Sequence, residues 1–413
     1  MFGRASTLWI LSSFLVVAVL AFACAPAAAP TPTPAPKPPA EKAAAPTPAP
    51  AKPATEKAAA PTPAPAKPTP AAKAAAPTPA PAKVTLPGTI NLATHAVGSA
   101  YNAAGTAVAK LLTDKGPMRV VVQPFAGPPG WIPGLHGEGK PEVGMVNVVE
   151  AWQAFAGKVA PGPLPEGVDV KPPYNQAYSR MRALAYGGNM YVGMAARAAT
   201  QYRTVGEVKG LRWTWGFPAF PANAMTTAAA LALAGLTPND IQKVNVPEAT
   251  AAQQAIVDGR VDAVAAAVGM GSVAEADAKV GLRFLDQTPV SASALKNAQA
   301  LMPGGDVITV KKGPAGVRED TPIWGYGMVF VASTYMSDDT AYTLVKSFWD
   351  NNETIRPMHQ ILLEWTHERF VYGKATLPFH PGAIKFYKEK GVWTKEADQM
   401  QEALLKAELP FLK

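Results

Sequence analysis

The sequence predicts a two-lobed α/β fold with mixed, mostly parallel sheets and a helical C-terminal segment. Three observations support this prediction. Strand and helix patterns alternate from residue 89 onward, about 330 residues follow a low-complexity N-terminal region, and helical periodicity dominates after residue 338. Because one hydrophobic core seldom serves more than about 250–300 residues, two lobes are expected.

The chain begins with the features of an export signal. Arg4 precedes an apolar run over residues 8–22, and small residues end that run at positions 21–24. The run is shorter than the roughly 20 apolar residues that cross a bilayer comfortably, and proline-rich sequence follows it. We therefore expect residues 1–23 to be a signal peptide that directs the protein to the periplasm or to the extracellular face of the cytoplasmic membrane.

The sequence contains a single cysteine, Cys24, at the position where the mature chain would begin. The stretch around it resembles a bacterial lipobox, with Ala23 as the small residue before the cysteine and Ala21 where Leu is usual. We expect Cys24 to carry a lipid anchor to the membrane; the alternative is ordinary signal cleavage that leaves a free thiol. No intrachain disulfide can form, so a large core must supply the stability.

Residues 24–83 are predicted to be a disordered tether after the anchor. Ala, Pro, Thr and Lys make up most of it, and one ten-residue motif occurs at 43–52, 58–67 and 74–83. Such a stretch has no apolar bulk to bury, and its prolines favour an extended polyproline form. Seven Lys against two Glu here, with Arg4, leave the rest of the chain at about +2 of the formal +8. A nearly neutral folded part argues against a nucleic-acid partner.

Residues 84–413 are predicted to be a binding domain built from alternating elements. Strands are expected at 89–94, 119–123, 184–196, 211–215, 243–246 and 261–266, and helices at 102–112, 224–234, 249–258, 338–351, 353–368, 381–390 and 394–409. The first lobe would span about 84–183 with part of the C-terminal third. The second would span about 184–330, with C-terminal helices at 338–413 packed across both lobes.

Three strand-to-helix corners are candidates for a binding site. In open parallel α/β sheets, ligands bind at the carboxyl ends of strands, where helix N-termini present unpaired N–H groups. The candidate ligand-binding residues at these corners are His95, Gly98, Ser99, Tyr101, Trp215, Phe217, Asn223, Gly269 and Met270. A structural alternative exists for each corner. The Gly-Ser corner is also typical of a simple turn, the aromatic side chains are also typical of a core, and Asn223 is also a good helix cap.

Catalytic and metal-binding motifs are missing from the sequence. The five histidines are scattered, and no H-E-x-x-H, G-x-S-x-G, Walker or dinucleotide pattern occurs. His95 and Ser99 could form a base and nucleophile pair, but no third, orienting carboxylate is identifiable. We therefore expect no enzyme activity, no metal and no cofactor, and keep an extracellular hydrolase as the less favoured alternative.

The order of these corners resembles the solute-binding subunits of tripartite ATP-independent periplasmic (TRAP) transporters, specifically the TAXI family. The resemblance covers about residues 89–393. It includes Ala93-Thr94 followed by Gly98 and Tyr101, the segment from Gly144 through Asn147 to Gly157, Lys209-Gly210, and the run at 258–263. The most specific match is residues 377–391, with their His-Pro-Gly corner, which we interpret as architectural.

The resemblance implies a periplasmic-binding-protein type II fold and a function. The protein would be a monomeric receptor that delivers a small solute to TRAP membrane subunits, with Asn147 added to the ligand-binding candidates. The implied solute is an organic acid, an amino acid or an aromatic acid. The chain departs from the family pattern at His95, Ser99, Val149 and Phe220-Pro221, so we expect a bulkier and more aromatic pocket. An ABC-transporter receptor or a sensory binding protein is the alternative.

Overall fold

The computed structural model describes residues 85–164, 166–171, 174–218, 220 and 222–412. The predicted signal peptide, Cys24 and the tether lie outside the described residues. Within them, no helix is both long enough and apolar enough to cross a membrane.

The described residues form ten strands. In chain order they are β1 (Thr89–Thr94), β2 (Arg119–Pro124), β3 (Val143–Asn147), β4 (Met181–Arg197), β5 (Arg212–Gly216), β6 (Gln242–Val246), β7 (Ala263–Ala267), β8 (Leu282–Phe284), β9 (Asp306–Val310) and β10 (Thr321–Ser333). They pair in the order β2-β1-β3-β10-β4-β7-β5-β6, with β8 on β4 and β9 on β10. The β1–β2, β1–β3, β5–β6 and β5–β7 pairs are parallel, and β4 and β10 pair antiparallel with each of their neighbours.

Helices cover the sheet and form most of the C-terminal part. In chain order they are α1 (Ala100–Lys115), α2 (Ile132–Glu138), α3 (Val148–Ala156), α4 (Ala222–Leu233), α5 (Ala249–Val257), α6 (Gly271–Val280), α7 (Ala292–Leu301), α8 (Asp338–Asp350), α9 (Asn352–Ile355), α10 (His367–Phe370), α11 (Pro381–Glu389) and α12 (Lys395–Leu405). The two-lobed α/β fold predicted from the sequence is confirmed. We call β1–β3 with α1–α3 the first lobe, and β5–β8 with α4–α6 the second lobe.

The long strands β4 and β10 connect the two lobes. Residues 181–191 of β4 pair with 325–333 of β10, which also pairs with β3 of the first lobe. Residues 192–197 of β4 pair instead with β7 and β8 of the second lobe. Both strands are almost wholly buried, as expected for continuous apolar sequence covered on both faces.

Two glycines let the C-terminal part pack directly on β4. A Cβ at Gly187 would overlap the indole of Trp365, and one at Gly188 would contact the Glu364 side chain closer than 3 Å. Trp365 is fully buried at this contact. Trp365 can therefore pack in the core because Gly187 has no side chain.

Where the sequence predicted an element, the structure agrees within four residues at each end, with one exception. The single long helix expected over residues 353–368 is wrong, because α9 and α10 are separate and 3₁₀ turns at Arg356–Met358 and Gln360–Leu362 lie between them. Pro357 has no N–H and its ring clashes with the preceding turn, which ends the helix. The sequence pattern also did not predict β8–β10.

The His-Pro-Gly corner begins α11. His380 caps this helix, with its Nδ1 accepting from the Gly382 N–H at 3.2 Å and its Nε2 lying 3.1 Å from the Met336 carbonyl oxygen. Further along, the Tyr387 hydroxyl donates to the Leu184 carbonyl of β4 at 2.7 Å. These contacts attach α11 to the sheet.

Replacing Gly382 with Ala should strongly destabilise the fold. The new Cβ would come closer than 3 Å to the carbonyl oxygen of Asp338, a backbone atom that cannot rotate away. We expect a loss of roughly 2–4 kcal/mol in the free energy of unfolding, measured by denaturant titration. Gly137→Ala is the matched control, because Gly137 is also helical and has nothing within 4 Å of its added Cβ. Equal effects of the two substitutions would contradict this account.

Candidate functional site

A partly enclosed cavity of about 50 Å³ lies where strand-to-helix corners of both lobes meet. The first lobe contributes the corner between β1 and α1. The second lobe contributes the corners that follow β5, β6 and β7, and β4 adds Met190 and Val192. The carboxyl ends of four parallel strands therefore face one space, the arrangement in which open α/β sheets bind ligands.

Helix N-termini surround this cavity. Ser99 caps α1, and its Oγ accepts from the Asn102 N–H at 3.1 Å. Glu248 caps α5, with its Oε1 accepting from the Ala251 N–H at 3.0 Å. Met270 precedes α6, and no side chain caps that helix. The N-terminal ends of α1, α4, α5 and α6 thus direct their partial positive charge toward the same region.

One wall of the cavity is aromatic. The His95 and Tyr101 rings are stacked with centroids 4.0 Å apart, and Phe220 meets His95 edge-on at 5.0 Å. Burial lowers the pKa of His95 to about 3, so the imidazole is neutral at physiological pH. Its Nε2 is buried and has no hydrogen-bond partner among the described residues. His95 therefore offers a solute either a donor or an acceptor, according to its tautomer.

The aromatic loop after β5 has a strained backbone. Phe217 has a φ of 51°, which is rare for a bulky residue, and its carbonyl accepts from the Phe220 N–H at 2.9 Å. This tight turn places Phe220 in the cavity wall. Phe217 itself is completely buried and does not line the cavity.

Trp215 belongs to a surface contact rather than to the cavity. Its indole N–H donates to Asp169 Oδ1 at 3.0 Å, and Lys243 Nζ lies 4.6 Å from the ring centroid. Lys243 also donates to the Gly167 carbonyl at 2.7 Å. These contacts hold residues 166–169, which lie in the connection between α3 and β4, against the second lobe. We call this group the surface bridge.

The remaining candidates have three different placements. Asn223 lies inside α4, lines the cavity, and its side-chain amide makes no hydrogen bond to any described residue. It is therefore not the helix cap that the sequence left open. Gly98 (φ 86°) and Gly269 (φ 84°) shape the two corners through left-handed turns, and Gly269 lines a neighbouring space of about 30 Å³. Asn147 caps α3, with its Oδ1 accepting from the Glu150 N–H at 2.7 Å.

Sequence reasoning missed a cluster of buried polar side chains behind Tyr101. Glu150 of α3 is fully buried, and its Oε2 accepts from Asn147 Nδ2 at 2.6 Å. Its Oε1 and the hydroxyls of Tyr101, Tyr174 and Tyr326 are buried without a hydrogen-bond partner in the described chain. We call these four residues the acid–tyrosine cluster. The available signal was a lone acidic residue within the otherwise apolar run at 143–156.

Electrostatics couple Glu150 to the three tyrosines of the acid–tyrosine cluster. Burial raises the pKa of Glu150 to about 8, against smaller lowering effects of hydrogen bonds from Asn147 and the Ala222 backbone. Burial also raises the pKa of each tyrosine, and the Glu150 charge raises all three further. Asn147 lies near enough to lower the Tyr101 pKa slightly, although it makes no well-formed hydrogen bond with that hydroxyl.

The hydrolase alternative finds no support in this geometry. His95 Nε2 has no partner, so it does not activate Ser99, whose Oγ caps α1. An imidazole with a pKa near 3 is also a poor general base at neutral pH. In the described part of the chain, no group of three or more His, Cys, Asp or Glu side chains could hold a metal ion.

The fold and the cavity together define the class: a two-lobed α/β protein with a partly enclosed cavity at its strand-to-helix corners. The chain matches the model of the NMT1-like family over residues 92–391, and it belongs to that family.

Several solved structures are similar to this chain at low identity. One is the periplasmic aliphatic sulphonate-binding protein SsuA from Escherichia coli, at 14% identity and a TM-score of 0.39 over 76% of this chain and 87% of that chain. Another is a TctC solute-binding protein from Polaromonas, at 13% identity and a TM-score of 0.39 over 77% and 98%. A third is the alkanesulfonate-binding protein SsuA from Xanthomonas axonopodis pv. citri, at 13% identity and a TM-score of 0.38 over 76% and 96%.

Glu150→Gln should stabilise the ligand-free protein, and more so at higher pH. The folded-state pKa of about 8 lies above the ordinary value of 4.5, so the unfolded chain ionises first as pH rises. The resulting cost to stability is small below pH 4.5, grows between pH 4.5 and 8, and is then constant. We expect the gain from the substitution to be roughly 2–4 kcal/mol larger at pH 8 than at pH 5.

The measurement is chemical denaturation of both proteins at pH 5 and pH 8. Glu402→Gln serves as the control, because Glu402 is exposed on α12 and has no resolved pKa shift. A stabilisation by Glu150→Gln that does not change with pH would show that Glu150 is not protonated in the fold.

Proposed function

We propose that this protein is an extracytoplasmic receptor that holds a small solute between its two lobes and delivers it to a membrane transporter. The observation that carries the proposal is the partly enclosed cavity formed by corners of both lobes. A site shared between lobes lets a bound solute favour the closed arrangement, and such a difference between states is what a transporter can recognise.

The size of the cavity indicates that the lobes must separate before a solute enters. A volume of about 50 Å³ holds a few water molecules at most, whereas small-molecule pockets usually measure roughly 300–1,000 Å³. Movement would occur in β4, which pairs with β10 along its first part and with β7 and β8 of the second lobe along its last part. The described structure thus corresponds to a closed form.

The cavity lining favours a solute with an apolar or aromatic part. His95, Tyr101 and Phe220 supply flat surfaces, and Asn223 supplies an amide with unused donors and an unused acceptor. The TAXI resemblance implies a carboxylate-bearing solute. Such a solute would meet no Lys or Arg among the described residues that line the cavity.

Asn223→Leu should weaken solute binding without weakening the fold. Leu has nearly the shape of Asn, and no hydrogen bond within the described protein is lost. We expect the affinity to fall roughly 10-fold or more, while the melting temperature in the absence of solute stays equal or rises. The probe is the small molecule that copurifies with the full chain from its producing cells, identified by mass spectrometry and titrated back by calorimetry.

Asn297→Leu provides the matched control, since Asn297 is exposed on α7 and lies outside the cavity. Equal affinity of the Asn223 variant and this control would show that the solute does not bind in the proposed cavity. Catalytic turnover of the copurified molecule would contradict the receptor function itself.

The predicted features of the N-terminal region add a membrane tether to the proposed receptor. We propose that residues 1–23 direct export, that lipid on Cys24 holds the protein to the membrane, and that residues 24–83 give the binding domain its reach. The TAXI resemblance favours TRAP membrane subunits as the partner.

Cys24→Ser should release the protein from the membrane. Only the cysteine thiol can receive the lipid, so the variant should move from the detergent phase to the aqueous phase in detergent phase partitioning. Wild-type protein found in the aqueous phase would favour the alternative of ordinary signal cleavage with a free thiol.

A further inference from the structure

Phe220 is a side chain of the second lobe that packs on two rings of the first lobe. Its ring meets His95 edge-on with the ring centroids 5.0 Å apart, and it meets Tyr101 edge-on with the centroids 6.3 Å apart. The His95 and Tyr101 rings are stacked on each other within the first lobe. Phe220 therefore makes an aromatic contact from one lobe to the other, in the wall of the cavity that we propose for the solute.

The Phe220 ring fills space that a solute needs. The cavity measures about 50 Å³, and Phe220, His95 and Tyr101 all line it. Phe220 is 7% exposed, His95 is 4% exposed and Tyr101 is 1% exposed, so the three rings leave almost no surface for a further ring to cover. A cavity that holds benzene measures roughly 150 Å³. Departure of the Phe220 ring would leave a ring-sized space beside the stacked pair.

The imidazole that Phe220 packs against lacks a polar partner. His95 Nε2 is buried and makes no hydrogen bond within the described chain. The hydrocarbon ring of Phe220 has no polar atom to pair with this nitrogen. Because a buried nitrogen without a partner is unfavourable, a molecule with a polar group at this place would satisfy an atom that Phe220 leaves unpaired.

The backbone that carries Phe220 is strained. Phe217 has a φ of 51°, and its carbonyl accepts from the Phe220 N–H at 2.9 Å. The Phe217 N–H donates to the Val246 carbonyl of β6 at 3.0 Å, which attaches the turn to the second lobe. Strained backbone of this kind is concentrated at functional sites and in segments that switch conformation. Since Tyr101 lies in the regular helix α1, Phe220 is the ring of this contact that can move.

We infer that Phe220 occupies, in the empty protein, the place that a ring of the solute takes in the complex. The solute ring then lies on the stacked His95 and Tyr101, a polar substituent of that ring pairs with His95 Nε2, and Phe220 is displaced. This inference rests on the proposed receptor function and names the part of the solute that the corner between β1 and α1 recognises. Every solute must compete with Phe220, so this side chain sets the affinity of the receptor.

Phe220→Ala tests the inference on the full chain, because it removes the competing ring. We expect the variant to bind the small molecule that copurifies with the wild type roughly 10-fold more tightly than the wild type does, since no side chain has to be displaced. Phenol, a single ring with one hydroxyl group, should also bind the variant more tightly than it binds the wild type. Phenol should compete with the copurified molecule, and calorimetric titration measures both affinities.

Phe284→Ala is the matched control, because Phe284 is 2% exposed on β8 of the second lobe and does not line the cavity. It should lower the stability of the fold and bind solute like the wild type. Phe220→Leu keeps apolar bulk in a smaller side chain, so it should raise the affinity as well, and it provides the test if the Ala variant does not fold. Adding His95→Phe to Phe220→Ala keeps a stacked ring without the nitrogen, and it should abolish the preference for phenol over toluene.

Weaker or unchanged binding of the copurified molecule by Phe220→Ala would overturn the inference and leave the receptor function in place. Such a result would mean that Phe220 remains in the wall of the occupied site. Phenol that binds the Phe220→Ala variant without competing with the copurified molecule would also overturn the inference. If no small molecule copurifies with the wild type or with any variant, the receptor function fails together with the inference.

Discussion

The antiparallel pairing of β4 with β10 is the contact on which the rest of the structure depends. It joins the first lobe to the second through two continuous strands, and the side chains of Met190 and Val192 on β4 also line the cavity. Trp365 packs against Gly187 of the same strand, so the C-terminal part is attached here as well. A rearrangement of the lobes must therefore be absorbed by strands that contact the C-terminal core on one side and the cavity on the other.

The site combines a well-packed aromatic wall with an unsatisfied polar interior. The stacked His95 and Tyr101 rings pack on each other and on Phe220, and these contacts stabilise the first corner. Behind them, four buried oxygens of the acid–tyrosine cluster make no well-formed hydrogen bond within the described chain. Natural folds keep such groups where function requires them, because apolar side chains of the same size would give a more stable core.

Much of the fold could be predicted from the sequence, because alternating strands and helices carry strong local signals. The corner residues His95, Ser99, Tyr101, Asn223 and Met270, chosen by their position after strands, do line one cavity. The single helix predicted over residues 353–368 is wrong because Pro357 interrupts it, although the surrounding residues have helical periodicity. Strand β10 was missed because Gly325 and Gly327 interrupt its apolar run and imitate a turn.

The acid–tyrosine cluster lay beyond local reasoning for a different reason. Tyr174 and Tyr326 are separated from Glu150 along the chain, and only the fold brings them near enough for its charge to raise their pKa values. Trp215 was predicted to contact a ligand because it lies at the end of a strand. In the structure its indole N–H donates instead to Asp169. Sequence position identifies an edge of a sheet, but which side of that edge a ring faces is decided by packing.

The surface bridge has a consequence for the setting in which the protein works. Asp169 keeps 67% of its side chain in solvent and Lys243 keeps 25%, so dissolved ions can screen their attraction. This attraction helps to hold the connection between α3 and β4 against the second lobe. High salt would weaken this contact and low salt would strengthen it, so the ionic strength of the solution sets how firmly the connection after α3 is held.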